Sequence, residues 1–126
     1  MNIPEELKYT NDHEWVKVDG KNVTVGITDY AQGELGDVVY LDIEDDIEEV
    51  TANESFGTIE AVKTVSELYA PVSGKVIDVN RSLNDAPETV NNDPYGDGWM
   101  IKIEMSNESE LDALIDADAY KELIED

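Results

Sequence analysis

Ser55-Phe56-Gly57-Thr58-Ile59-Glu60-Ala61-Val62-Lys63-Thr64-Val65-Ser66-Glu67-Leu68-Tyr69 holds two limbs of alternating residues around a short break. On the first limb Phe56, Thr58 and Glu60 alternate with Gly57, Ile59 and Ala61. On the second Thr64, Ser66 and Leu68 alternate with Val65, Glu67 and Tyr69. Period-two patterning predicts two β-strands joined at Val62-Lys63-Thr64, with Lys63 at the tip. Its neighbours Val62 and Thr64 are β-formers, unlike the Asn-Gly of an ordinary tight turn. An exposed lysine is usually just a solvated charge. Here Lys is scarce, and this one stands between two patterned limbs. A lysine displayed in that way can be modified by an enzyme and can swing what it carries.

The flanking sequence extends the β pattern. Glu14–Val18 and Lys21–Val25 flank Asp19-Gly20, which predicts a hairpin with a type I′ turn. Thr28 is an N-cap type of residue, and a short helical turn over Thr28–Gln32 should stop near Gly33. Asp37–Ile43 reads as a buried strand, and the acidic stretch 44–50 as an exposed loop. Pro71 ends the second limb, and Ser73-Gly74 turns the chain into a strand at Lys75–Asn80. Residues 81–98 are rich in Asn, Asp, Pro and Gly and predict a long ordered loop with one short helix. Trp99–Met105 alternates again. After it the period changes: Asn107 and Glu110 form a potential capping pair ahead of Leu111, Leu114 and Ile115 on one helix face. Tyr120, Leu123 and Ile124 predict a second short helix after Asp116. The fold class expected is mostly β, with small helices and a helical C-terminus, in a single domain over residues 1–126.

Composition narrows the function. The chain has 31 Asp+Glu against 8 Lys+Arg, a formal net charge of −23. The acids divide almost evenly between the two halves, so there is no acidic tail. Nucleic-acid binding is disfavoured, because phosphate contacts require a basic face. Screening of like charges at high salt would relieve the self-repulsion, which points to a halophile's interior. Neither a signal peptide nor a membrane span is visible, so a cytoplasmic protein is expected. There is no cysteine. Thiol chemistry would have to come from an attached group. Asp42, Glu44, Asp45 and Asp46 suggest a calcium loop only weakly, since Ile47 stands where an EF-hand needs Gly. No metal site is expected.

Glu60 through Gly74 closely resembles the lipoyl-lysine segment of the glycine cleavage system H-protein family. Lys8-Tyr9-Thr10 with His13-Glu14-Trp15-Val16 is similar to that family's N-terminal signature. Val25 through Gln32 with Leu35-Gly36-Asp37-Val38-Val39 is similar to the next. Leu83-Asn84-Asp85, Val90-Asn91 and Asp93-Pro94-Tyr95-Gly96 with Gly98-Trp99 continue the likeness in order. Two departures are Ala61, where many members have Ser, and the more acidic surface. The resemblance implies a lipoyl-domain-like flattened β-barrel or sandwich, the barrel-sandwich hybrid. It implies lipoate in amide linkage to Lys63, with Glu60, Val62 and Ser66 as the motif around it. The role implied is a carrier, not an enzyme. Its partners would be glycine decarboxylase (a pyridoxal-phosphate enzyme), a tetrahydrofolate-dependent aminomethyltransferase, dihydrolipoyl dehydrogenase and a lipoate-attaching enzyme. A monomer is expected.

Two rival readings remain at this level. One is a lipoyl relay to other complexes, and the other is a β-sandwich interaction module with an unmodified Lys63. Around the N-terminal signature, His13 beside Glu14 raises acid–base catalysis, but a lone His with no nucleophile argues against it. His13 is expected to cap or orient its segment, and Trp15 to lie in the core. The aminomethyl-loaded arm ends in an amine that is cationic at neutral pH. Asp12, Glu14 and Glu67 are the carboxylates that the resemblance implies would shelter it.

Overall fold

The computed structural model describes residues 2–44 and 46–125. Asp45, in the acidic stretch, lies outside the described residues. The strands are β1 (Lys8–Tyr9), β2 (Glu14–Asp19) and β3 (Asn22–Ile27), followed by helix α1 (Asp29–Leu35). Then come β4 (Val38–Ile43), β5 (Glu49–Val50), β6 (Ser55–Ala61), β7 (Val65–Tyr69) and β8 (Gly74–Val79). A 3-10 turn at Arg81–Asn84, helix α2 (Thr89–Asn92), β9 (Ile101–Met105), a 3-10 turn at Glu108–Ala113 and helix α3 (Ala117–Glu125) complete the chain.

Two antiparallel sheets form a sandwich without closing into a barrel. One has six strands in the order β1-β2-β3-β9-β8-β5, and the other has three in the order β4-β6-β7. Alternation puts Val23 and Val25 of β3 opposite Ile103 and Ile101 of β9, all four fully buried or nearly so. They face Leu41, Ile59 and Leu68 of the smaller sheet, and this layer is the main core. A second cluster gathers Leu7, Tyr9, Trp15, Ala117 and Tyr120 beneath α3. Trp15 is buried as expected, and its indole N–H donates to Pro94 O at 2.8 Å.

Several local expectations are corrected. In the first hairpin Asp19 pairs with Asn22, so the loop is Gly20-Lys21. Of these two only Gly20 has a positive φ (63°), which fits a type II′ turn and not type I′. Helix α1 runs through Gly33 and ends at Gly36, whose φ of 81° only glycine adopts freely. The stretch 44–50 is not all loop: β5 pairs with β8, and Val50 is buried. The loop 81–98 holds two short helical segments, not one. Glu110 does not complete a capping box. Its carboxylate accepts from Ser73 N (2.8 Å) and Ser73 Oγ (3.1 Å), while Asn107 caps through Ser109 N. Ile115 leaves the helical face altogether and exchanges backbone hydrogen bonds with Tyr9 at 2.8 and 2.9 Å.

The strict alternation expected along β6 is also broken. Phe56 and Ile59 are both buried, although they are an odd number of residues apart. A register shift between Ser55 and Gly57 switches the strand's face. Glycine is required there, because a Cβ at position 57 would lie 2.6 Å from Asp42 O on β4. Gly57→Ala should therefore lower stability by about 1–3 kcal/mol through a forced shift of β4. Thermal or urea unfolding of the variant beside the parent chain measures it.

Candidate functional site

Lys63 stands where the sequence places it, exposed at the tip between β6 and β7. The tip closes with Ala61 N donating to Thr64 O at 2.8 Å. No tip residue needs a positive φ, which is why β-forming Val62 and Thr64 are accepted there. Val62 N donates to Asp37 O at 3.0 Å, tying the tip to the segment after α1. The Lys63 stem runs back over Gly36, where a Cβ would lie 3.0 Å from Lys63 Cε. Glu60 and Val62 of the motif are exposed, with Val62 73% accessible. Ser66 turns toward the neighbouring cleft.

That cleft has a volume of about 300 Å³. Apolar side chains of Ile27, Leu35, Ile59 and Leu68 line it, with Asp12, Glu14, Glu34 and Glu67 among the polar groups. The three acids implied by the resemblance are thus brought to one place. The lysine lies at the opposite end of α1 from His13 and Tyr30, about 9 Å along the helix axis. Residues of these types fit a lipoyl arm: apolar walls for its aliphatic chain and carboxylates for a terminal ammonium.

The three carboxylates differ in surroundings. Asp12 and Glu67 are exposed, and Glu67 accepts from Tyr69 OH at 3.0 Å. Glu14 is 2% exposed. Its oxygens already accept from Thr10 Oγ1 (2.8 Å) and from Tyr69 N (3.1 Å), on the edge strand of the other sheet. Each oxygen keeps one lone pair for a further donor. Burial pushes the Glu14 carboxyl up to about 7, against the pull of those two hydrogen bonds. Beyond Glu14 lies a second cavity of about 360 Å³ against Asn53, Pro71 and Leu114, so Glu14 forms part of the wall between two hollows.

Several contributors were not foreseen. Asn91 of α2 accepts from Val38 N (2.9 Å) and donates to Gly36 O (2.9 Å) and Gln32 Oε1 (3.0 Å). It thereby fixes the 36–38 segment on which the tip rests. Its partners are more than fifty residues away in sequence, so no local pattern announces them. Tyr30 and Glu34 of α1 also line the cleft, and the Glu34 charge raises the Tyr30 hydroxyl above its ordinary range. Their one-turn spacing on α1 was the available signal.

A lysine on a hairpin tip, on a two-sheet sandwich and beside an apolar cleft rimmed with acids, defines a swinging-arm carrier of the lipoyl-domain class. The glycine cleavage H-protein family model matches residues 7–126. The chain belongs to that family, whose members are the lipoyl carriers of the glycine cleavage system. It is 60% identical to the glycine cleavage system H protein of Staphylococcus carnosus over 98% of each chain. It is 56% identical to that of Geobacillus kaustophilus, again over 98% of each. The crystal structure of a glycine cleavage system H protein from Mycobacterium marinum superposes with a TM-score of 0.85 at 39% identity. That match covers 95% of this chain and 97% of the other.

The raised Glu14 carboxyl has a signed consequence. Between about 4.5 and about 7 the folded chain holds a proton on Glu14 that the unfolded chain has released. The Glu14 contribution to stability therefore falls as pH rises through that window. Glu14→Gln removes the titrating group and can still accept from Tyr69 N. Its amide N–H₂ cannot replace the acceptor of the Thr10 hydroxyl, which already takes Asp12 N and Glu14 N, so the variant carries a pH-independent loss at that bond. Its stability relative to the parent should rise by about 1–3 kcal/mol between pH 4.5 and 8. Urea unfolding of both chains across that range checks it.

Proposed function

We propose that Lys63 carries lipoate in amide linkage to its Nζ and that this arm shuttles the aminomethyl group of glycine. The observation that carries the reading is Lys63 itself, exposed on a hairpin tip with its stem over Gly36, the residue after Leu35 of the cleft wall. Glu60, Val62 and Ser66 form the surroundings that a lipoate-attaching enzyme would meet. When bound, the lipoyl group supplies the disulfide and dithiol chemistry that a cysteine-free chain lacks. The chain's own work is display, shelter and release. It is a carrier and not an enzyme, a single lipoyl-bearing unit over residues 1–126.

The partners fitting this role are glycine decarboxylase, which loads the arm, and the tetrahydrofolate-dependent aminomethyltransferase, which unloads it. Dihydrolipoyl dehydrogenase then reoxidises the dithiol. Among the described residues no helix is long and apolar enough to cross a membrane. Cytoplasmic work as a monomer suits the set of partners. The halophilic source expected from the acidic surface finds no support in the bacterial relatives, which come from Staphylococcus and Geobacillus.

An aminomethyl-loaded arm would end in an ammonium. Glu14 and Glu67, with Asp12 beside them, would hold that charge against the protein and keep the carbon–nitrogen bond away from bulk water. The apolar wall strengthens the attraction by lowering the local dielectric.

Co-expression with a lipoate-attaching enzyme and lipoate should give an intact mass raised by one lipoyl group, and Lys63→Ala should abolish the increase. An unchanged mass, or an increase that survives the substitution, overturns the assignment. In the loaded form, Glu14→Gln with Glu67→Gln should release ammonia roughly tenfold faster than the parent. Equal rates would remove the sheltering role.

A further inference from the structure

His13 is the only histidine in the chain, and its setting is specific. Its backbone is left-handed, with φ 68°. Its carbonyl accepts from Thr28 N at 3.1 Å, at the N-cap of α1. The ring lies 5.0 Å from that of Tyr30 and meets Tyr120 of α3 edge-on. Nδ1 is 2.9 Å from Tyr120 OH. Tyr120 is fully buried and stacked on Tyr9 at 4.7 Å, so this hydroxyl cannot wander.

The protons in this group have one consistent arrangement. Thr28 Oγ1 already accepts from Ala31 N at 3.1 Å. Thr28 is fully buried, so its own proton needs an acceptor, and Tyr120 OH lies at 2.8 Å. With Thr28 donating, Tyr120 gives its proton to His13 Nδ1. The neutral ring then carries its proton on Nε2. Burial also lowers the His13 pKa, against the pull of Asp12 on its own segment and Glu34 on α1. Tyr30, Tyr120 and Glu14 are the other titratable neighbours. Nε2 has no hydrogen-bond partner among the described residues, and His13 lines the cleft.

A cleft rich in carboxylates suits an ammonium but offers few donors. The arm's acceptors are its amide carbonyl, beside Lys63, and its two sulfurs, at the far end. His13 sits at the end of α1 remote from Lys63. We propose that His13 donates a hydrogen bond from Nε2 to a sulfur of the parked arm, and that Tyr120 is the positioning residue that orients the ring for it. This rests on the reading of the cleft as the arm's resting place. Helix α3, remote in sequence from the cleft, thereby becomes part of the binding site.

A lone histidine makes the test direct. The tag-free lipoylated chain, labelled with 15N-histidine, should show the Nε2–H neutral tautomer at pH 7. Aminomethyl loading should move the Nε2 resonance. Tyr120→Phe, which keeps the stack on Tyr9, should give a mixture of tautomers. An Nδ1–H or cationic ring in the parent chain overturns the proposal. For function, His13→Asn is the informative variant. Asn tolerates the left-handed backbone and can still accept the Tyr120 proton, but it cannot reach the sulfur. It should release ammonia from the loaded form roughly fivefold faster than the parent. A parental rate alongside faster release from Glu14→Gln would overturn the His13 role and leave the cleft standing. Parental rates in both would overturn the cleft and His13 together.

Discussion

A single buried carboxylate joins the two sheets at the functional end of this molecule. Glu14 begins β2, and its oxygens take the Thr10 hydroxyl on one side and the Tyr69 amide of edge strand β7 on the other. An unpaired strand edge is a liability, and here a side chain from the opposite sheet covers part of it. The same bridge fixes where the N-terminal segment lies relative to the lysine hairpin. The cleft takes part of its wall from this bridge, beside the buried Ile27, Ile59 and Leu68. A nearly inaccessible acid is costly to ionise, so the bridge exacts a cost in stability near neutral pH. That cost is intelligible if the carboxylate must be present for a cation that arrives only part of the time.

The rest of the site rests on supports of the same kind, each from a different stretch of chain. Asn91 secures the turn after α1, and Asp37 receives the tip amide. Tyr120 reaches from α3 to the N-terminal segment. Display is thus separated from support: the tip is exposed, and the hydrogen bonds from Asn91 and Tyr120 that brace its surroundings are partly buried. A carrier visited by several enzymes has to present one shape to all of them, and rigid elements do this better than loose loops.

Much of this was legible in the sequence because it is local. The Thr28 cap, the first hairpin and the Lys63 tip each depend on residues within one turn of each other. Asp12, Glu14 and Glu67 came from family likeness, and nothing in their spacing would have joined them. What escaped is long-range. The face switch at Gly57 depends on a carbonyl of β4, and β5 exists only because β8 lies beside it. Glu110 had a plausible local capping role, but Ser73 offered two donors. Ile115 matched a helical period until pairing with Tyr9 drew it into extended backbone. In each case a tertiary partner outweighed a local preference of about 1 kcal/mol.

Gly36 links two requirements that are otherwise unrelated. Its positive φ ends α1, and its missing side chain leaves room for the lysine stem. The backbone is the stricter of the two, since an exposed lysine stem can swing aside from an added Cβ whereas the φ of 81° cannot be adopted freely by another residue. The seat of the lysine is therefore set by main-chain geometry, and the cleft walls and rim can change one residue at a time while that seat stays fixed.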